Sequence, residues 1–444
     1  MNKSLLAVLI GTLFATSAAA DDLLQLYREA RQQDSTLASA KAAWQATQEK
    51  IPQAQAGLLP TVSVAGSTTY TILDSTTAAY LPGFTKVTQV NSNVALNATV
   101  SASQPLYRRQ NNIVLDQAKV QVAQSTYVLQ SADQDLALRL AQAYFDVLLA
   151  QDTLAFVGSQ KAATAESLAQ AKRNFEVGTA TITDTNDAQA RYDLIVALEI
   201  ATVNDIEIKR RAIEVIIGRA APALKPLMSN PPLETPAPDN LDAWASKAEQ
   251  GNLSILVANA SLDIANLEVD RNRAAKAPVV DLIGSYGHGE FAGLSTAYPG
   301  TSLRQGIIGI QLSMPLYTGG LIDSRVREAL ASQDRARQDL EAAKRSAAQS
   351  ARTSFLNVSN GIAQVKALEQ AVVSAGVALA SSQLGMEVGV RTNVDVLNAQ
   401  QQVFSARRDL ASARYAVITN SLRLKAAAGA LTDADLEAVN RTLQ

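Results

Sequence analysis

The stretch FEVGTATITDTNDAQ, Phe175 to Gln189, returns as MEVGVRTNVDVLNAQ, Met386 to Gln400, with Glu-Val-Gly, a later Asp and a closing Ala-Gln in step. The offset, Glu176 to Glu387, is 211 residues. The likeness continues upstream, where Asp34 to Pro60 matches Asn252 to Pro278 in spacing. A chain that repeats itself at this distance is a tandem duplication, so a fold that suits one half has to suit both. The copies join between Ala220 and Asn240.

Prolines divide each copy. None of the 13 lies between Pro105 and Pro222 or after Pro315, while six fall from Pro222 to Pro238. Two long uninterrupted segments therefore flank a connection rich in helix breakers. Within those segments apolar residues recur every seven positions: Leu115, Val122, Leu129 and Leu136, then Val365, Val372, Leu379 and Met386, then Val396, Val403, Leu410, Val417 and Leu424. Each series is a seam along one helix face. Arg108 to about Phe175 reads as one helix, ~100 Å long at ~1.5 Å per residue. It breaks at Gly178, as the second copy does at Gly389, and a shorter helix returns to about Gly218 or Gly429. Each half thus holds an antiparallel helical hairpin with the repeated motif as its tip.

Upstream of each hairpin the period becomes two. Val94, Leu96, Ala98, Val100 and Ala102 alternate with Asn93, Ala95, Asn97, Thr99 and Ser101. Val62, Val64, Tyr70 and Ile72 do the same against Thr61, Ser63, Thr69 and Thr71, as do Ile308, Ile310, Leu312 and Met314 against Gly309, Gln311 and Ser313; Val280 to Phe291 is less regular. Four long strands follow, two per half. Ser103 to Tyr107 (SQPLY) and Ser313 to Tyr317 (SMPLY) end the second strand of each half, with proline as the break before the helix. Each half then reads helix, strand, strand, long helix, tip, helix.

Composition and the N-terminus narrow the class. With 444 residues, 47% hydrophobic and 18% charged, the chain is folded and larger than one ordinary domain. A net charge of −2 with interspersed signs offers no basic face for nucleic acid and no polybasic block for anionic lipid. The absence of cysteine excludes disulfides, thiolate metal sites, thiol nucleophiles and a cysteine-anchored lipid. Residues 1–20 carry Lys3, an apolar run from Leu5 to Phe14 and Ala18-Ala19-Ala20, the layout of a cleavable secretory signal ahead of Asp21. That run is too short for a membrane anchor, and no later segment has about 18 consecutive apolar residues. Entry into a membrane would not be by helices.

Two-faced strands suit a soluble sheet packed on helices or a transmembrane barrel with lipid outside and water inside. The helical seams are consumed by each other, which favours the barrel. Single-chain barrels begin at about eight strands, so four must be joined by other chains. On that reading Val94, Leu96, Val100, Ile308, Ile310 and Leu312 face lipid, while Asn97, Thr99, Gln311 and Ser313 face the lumen.

The element order, together with LLPTVSVAGSTTY, SQPLY, SMPLY, VGTATITD and VGVRTNVDVLNAQ, resembles the TolC family of outer-membrane efflux and secretion channels over nearly all of the chain after residue 20. The resemblance implies a mixed α and β membrane protein: a homotrimeric channel-tunnel with a shared twelve-strand β-barrel, continued by a periplasmic α-helical barrel of coiled-coil hairpins. It implies an outer-membrane location in a Gram-negative bacterium, and passive export through a tripartite efflux pump or type I secretion system. The partners implied are a periplasmic adaptor, or membrane fusion protein, and an inner-membrane transporter of ABC, RND or MFS type. Residues 21–219 are then the first repeat with its tip near 176–184, and 240–430 the second with its tip near 387–395. The proline-rich linker 220–239 belongs to an equatorial region, and 431–444 is a short C-terminal segment.

The resemblance also implies roles at the tips. Val177, Gly178, Thr179, Val388, Gly389 and Val390 meet the adaptor. Asp395 falls where trimeric copies form an acidic constriction ring, Arg391 on an inner gate position, and Asp184 with Thr183 on its facing partners. Met386 stands where the family has a gate tyrosine, and Asn398 where it has a second acidic ring. Three Asp395 carboxylates in a narrow mouth would attract cations or have raised pKa values. From the residues alone, Asp184 and Asp395 also read as caps of the returning helices, and Arg391 as a solvated loop charge.

Other classes fit less well. His288, the sole histidine, lies in GSYGHGE within or just beyond a strand and reads as a loop or rim residue, with no triad or metal cluster around it. The glycines beside it lack the GK[ST] ending of a phosphate loop. Asp22, Asp34, Asp133 and Asp135 read as caps and solvated helix acids. No catalytic site, cofactor or resident metal is expected. A trimeric coiled-coil surface protein or a periplasmic adaptor remains the competing class; an adhesin places one stalk ahead of a terminal barrel unit, and an adaptor has one hairpin among lipoyl-like strands.

Overall fold

The computed structural model describes residues 21–77, 87–293 and 300–444; the expected leader, 1–20, lies outside them. In chain order the elements are α1 (Leu23–Gln33), α2 (Ser35–Gln48), α3 (Lys50–Ala56), β1 (Thr61–Thr77), β2 (Val87–Tyr107), α4 (Arg109–Glu176), α5 (Ile182–Ile217), α6 (Leu241–Gly251), α7 (Leu253–Ala274), β3 (Val279–Gly293), β4 (Thr301–Ser313), α8 (Leu321–Glu387), α9 (Asn393–Ala427) and α10 (Asp433–Asn440). The proline-free segments are continuous helices of 68 and 67 residues. The opening helix of each half, expected to be single, is interrupted at Asp34 and at Asn252. There a side-chain oxygen takes an amide of the next helix, Leu37 N–H at 2.7 Å and Ser254 N–H at 2.9 Å. Short polar side chains that bond the local backbone favour a restart over continuation.

The described part of Met1–Ala43, with Thr126–Val257 and Leu340–Gln444, makes one compact unit. Its main core gathers Leu23 and Leu26 of α1, Leu140 and Tyr144 of α4, Ile213 of α5 and Leu422 of α9. A second cluster sets Trp244 of α6 and Val358 and Val365 of α8 against Val417 and Leu424 of α9. Along the α9 seam Val396, Val403, Val417 and Leu424 are buried and Leu410 is half-buried. Of the α4 seam only Leu136 is buried, while Leu115, Val122 and Leu129 stay half-buried. Among the described residues α8 alone holds an 18-residue window apolar enough by composition to cross a bilayer, mean hydropathy 1.2. The C-terminal segment is not loose chain, because α10 sinks Leu436 and Val439 into the main core.

Trp44–Ser125 and Ala258–Asp339 form the other unit, around a sheet of order β1-β2-β3-β4 with antiparallel neighbours. Register places Val62, Ala102, Gly284 and Ile308 in one row, and Ser63, Ser101, Ser285 and Ile307 in a row on the opposite face. The apolar face is uncovered, and on the outer strands β1 and β4 the polar face is largely exposed too. Val64 is 77% exposed, Leu96 54%, Ile308 82% and Leu312 68%, whereas Asn97, Thr99 and Ser101 across the sheet are half-buried. A water-soluble sheet has the opposite arrangement. Ile283, Leu303 and Ile307 are apolar exceptions on the polar face.

Three strand expectations need correction. Pro105 does not end β2; it pairs with Asp281 and the next pair is Tyr107 with Val280, so Leu106 is an extra, bulged residue. A bulge tolerates the missing proline N–H and reverses the alternation beyond it. Tyr107, which would follow Ser101 and Ser103 onto the polar face, is thereby turned to the apolar side beside Val280. In the second half β4 stops at Ser313, short of Met314, and Pro315 does act as a break. His288 lies inside β3, opposite Ala98 and Arg304, and not in a loop.

Candidate functional site

Both long helices end in one kind of turn. Past α4, Gly178 has φ 78 and Thr179 N–H reaches the Asn174 carbonyl at 2.8 Å. Past α8, Gly389 has φ 79 and Val390 N–H reaches the Gly385 carbonyl at 2.9 Å. A left-handed residue after the last turn lets the chain fold back onto the helix carbonyls, and glycine takes that φ without a Cβ penalty. The recurrence of Val-Gly has this cause.

The returning helices also start alike. Thr181 is the N-cap of α5: its Oγ1 accepts the Asp184 N–H at 3.2 Å, and Asp184 Oδ2 accepts the Thr181 N–H at 3.0 Å. Thr392 and Asp395 repeat this on α9 at 3.2 and 2.9 Å. Both aspartates therefore serve the helix ends, but from the third helical position, with the threonines as caps. The sequence reading passes over Thr181 and Thr392, which the Thr-x-x-Asp spacing identifies. The Thr392 N–H, then its hydroxyl, then the Arg391 charge hold the Asp395 carboxyl below its usual range. Within one chain the direction is thus opposite to the rise expected from repulsion in a ring.

Side chains distinguish the tips. A Cβ on Gly385 would lie 2.7 Å from Arg391 Cγ, so the Arg391 stem crosses bare backbone on the last turn of α8. The first tip has Asn174 and Ala180 at these positions. Arg391 is exposed, and among the described residues it forms no side-chain hydrogen bond or ion pair; it meets neither Asp184 nor Thr183 of its own chain. Met386 is half-buried. Asn398 is occupied: Arg191 Nη2 donates to its Oδ1 at 2.7 Å, tying α5 to α9. Close by, Leu397 packs on Leu168, Ala171 and Ala188, so the two hairpins of one chain are joined just behind their tips. At the apices Val177, Val388 and Val390 are exposed, as are Gly178, Thr179 and Gly389.

The remaining polar candidates have structural partners. Asp22 caps α1 through Gln25 N–H, Asp133 pairs with Arg31 at 2.9 Å and Asp135 with Arg139 at 2.7 Å. Among the described residues no three His, Cys, Asp or Glu side chains are grouped to hold a metal.

The two halves correspond to a known sequence family. The outer membrane efflux protein family matches residues 26–219 and 244–430. Outer membrane protein TolC of Vibrio cholerae is 34% identical over 436 residues, covering 98% of this chain and 96% of its own. The alkaline protease secretion protein AprF of Pseudomonas aeruginosa is 31% identical over 344 residues, covering 77% of this chain and 71% of its own. The crystal structure of outer membrane protein VceC from Vibrio cholerae matches the fold with a TM-score of 0.74 at 20% identity, covering 92% of this chain and 96% of that one. Duplicated hairpins, two-faced strands and full-length likeness agree, and the chain belongs to the outer membrane efflux protein family.

Proposed function

We propose that three copies of this chain close a shared twelve-strand β-barrel in the outer membrane of a Gram-negative bacterium, with their hairpins forming a helical barrel in the periplasm. One observation carries this reading: a sheet whose apolar face is uncovered and whose outer strands, β1 and β4, each pair on one side only among the described residues. Open edges of 17 and 13 residues invite pairing with other chains. Pairing β1 of one copy with β4 of the next removes both edges, and lipid then covers the apolar face.

The channel is a passive exit duct for efflux or type I secretion, and its names among relatives support that use. An inner-membrane transporter of ABC, RND or MFS type supplies the energy through a periplasmic adaptor. The adaptor meets the exposed apices, Val177, Gly178, Thr179, Val388, Gly389 and Val390. At rest Arg391, which has no side-chain hydrogen bond or ion pair among the described residues of its own chain, bonds Asp184 or Thr183 on a neighbour's hairpin and holds the mouth shut. Three Asp395 carboxylates form a cation-attracting ring. Asn398, neutral and bonded to Arg191, adds no second ring, and Met386 brings no hydroxyl to the gate.

Trimer assembly of Leu96→Arg and Thr99→Arg tests the barrel. An arginine facing lipid near mid-membrane costs ~2 to 4 kcal/mol and one facing the lumen little. Leu96→Arg should therefore lose heat-labile trimers on a gel while Thr99→Arg keeps them, and equal tolerance of both would remove the barrel.

A further inference from the structure

The apolar face of β3 and β4 ends in charge. On β3 the residues along that face are Val280, Leu282, Gly284 and Tyr286, and then His288; on β4 they are Leu312, Ile310, Ile308 and Gly306, and then Arg304. Register sets His288 directly opposite Arg304, so both share a face with Ile308 and Tyr286. Arg304 is exposed and has no ion pair or side-chain hydrogen bond among the described residues. His288 Nε2 lies 3.5 Å from Glu290 Oε1, and its Nδ1 is buried without a partner.

Their height on the strand matters. Arg304 and Leu312 are eight residues apart; that is ~27 Å along a strand at ~3.4 Å per residue, and ~20 Å along the membrane normal at a tilt of ~40°. The apolar belt of a membrane barrel is about 25 Å tall and ends in aromatic girdles. At ~20 Å from Leu312, His288 and Arg304 lie near the end of a belt of that height, one step outward of Tyr286, an aromatic on the same face. They lie toward the β3–β4 connection and away from the strand ends that lead into α7 and α8. In a channel with periplasmic helices, that is the outward side of the belt. A guanidinium beside an imidazole on a lipid-facing surface is costly to leave without an anion.

We propose that His288 and Arg304 bind the phosphate of an outer-leaflet lipid headgroup, with its acyl chains against Tyr286, Ile308 and Ile310. This rests on the barrel reading. Arg304 supplies a planar fork suited to two phosphate oxygens, and of the His288 ring only Nε2, shared with Glu290, is left to add a donor, its Nδ1 being buried. Glu290, next outward on β3, approaches the imidazole and not the guanidinium, which leaves Arg304 for the anion.

The test uses the full-length trimer in detergent and a bis-phosphorylated, acylated glucosamine disaccharide as probe, with lipid retained per trimer read by native mass spectrometry. Wild type should retain the probe, the double variant His288→Gln/Arg304→Gln about tenfold less or none, and Arg304→Lys an intermediate amount. The dephosphorylated probe should not be retained, and inorganic phosphate at equal concentration should not displace the phosphorylated one. Equal retention by the double variant, equal retention of the dephosphorylated lipid, or full displacement by inorganic phosphate would overturn the proposal. Planar-bilayer recording of the same samples separates this from the channel itself: conducting wild-type trimers that retain no probe refute the lipid site alone, whereas wild type that forms no pore refutes the barrel and the site with it.

Discussion

The two hairpin tips share a backbone and differ in what they carry. Both use a left-handed glycine, a threonine cap and an aspartate at the third helical position, with corresponding hydrogen bonds equal to within about 0.1 Å. The first presents Asn174 and Ala180, the second Gly385 and Arg391. Duplication has kept the turn that folds and altered the side chains it displays. In the first tip, Asn174 and Ala180 give a turn without charge at the site where the second holds a cation against Gly385. The gate proposed here is therefore asymmetric: the second hairpin reaches, and the first receives through Asp184 and Thr183.

Arg391→Ser should produce the largest effect. Each exposed charged bond at the mouth is on the order of 1 kcal/mol, but three act on one opening equilibrium and together shift it by about a hundredfold. Single-channel conductance in the resting state should rise in Arg391→Ser and not in Ala180→Ser, its counterpart. Arg391→Ser combined with Asp184→Ala should add little further if the two residues form one bond. Gly385→Asn, which imports the first tip's residue beneath Arg391, should displace the arginine and give part of the same rise. Wild-type conductance in Arg391→Ser with trimers intact would put the gate elsewhere.

Charge gives the next comparison. Asp395→Ala and Asp184→Ala each remove half of a capping box and should lower the stability of their helices alike. Only Asp395→Ala should also weaken cation selectivity and multivalent cation block in planar bilayers, because only Asp395 is proposed to form the ring. Equal selectivity in the two variants would leave both aspartates as caps and nothing more.

The smallest effect concerns the matched helix breaks. Asp34 is buried, which by itself opposes its ionisation, but Arg139 and the Leu37 N–H outweigh burial and leave its carboxyl below the ordinary range. Its stabilising contribution is present above the unfolded value, near ~3.9, and is lost as pH falls through the lower folded value. Asn252 performs the equivalent capping without a titrating group and bonds the Ala427 carbonyl at 2.8 Å. Asp34→Asn should cost about 1 kcal/mol per chain at pH 7 and flatten acid unfolding below pH ~5; Asn252→Ala should lower thermal stability equally at pH 7 and pH 4. Circular dichroism melts across that range check both.

Periodic features were legible in the sequence because they repeat over many residues. The seven-residue series identified both long helices, the first expected from Arg108 to about Phe175 and observed as Arg109–Glu176, and alternation showed which side of β2 is apolar. Features that depend on one residue were not. The bulge at Leu106 leaves the local pattern unchanged while turning Tyr107 over, and Pro105 and Pro315, in near-identical motifs, differ in whether the strand continues. At the tips the glycines and aspartates were legible because the repeat aligns them. The Arg191 to Asn398 bond spans 207 residues between two helices, and no local spacing reports such a pair. Gly385 beneath Arg391 escaped for the same reason, since its role is the side chain that crosses it.

All of this depends on three chains closing one barrel, β1 of each against β4 of the next. The chain has no cysteine, so introduced pairs report on that contact alone. Cysteines at Ser63, Ser67 or Thr69 on β1 can be combined with cysteines at Leu303, Ile307 or Gln311 on β4, all on the polar face. Disulfides need Cα atoms within about 7 Å, so oxidised, denatured samples should show linked species of two and three chains for the pairs in register, and none for any single substitution. Trimers present before denaturation that yield only monomers from every pair would contradict the shared barrel.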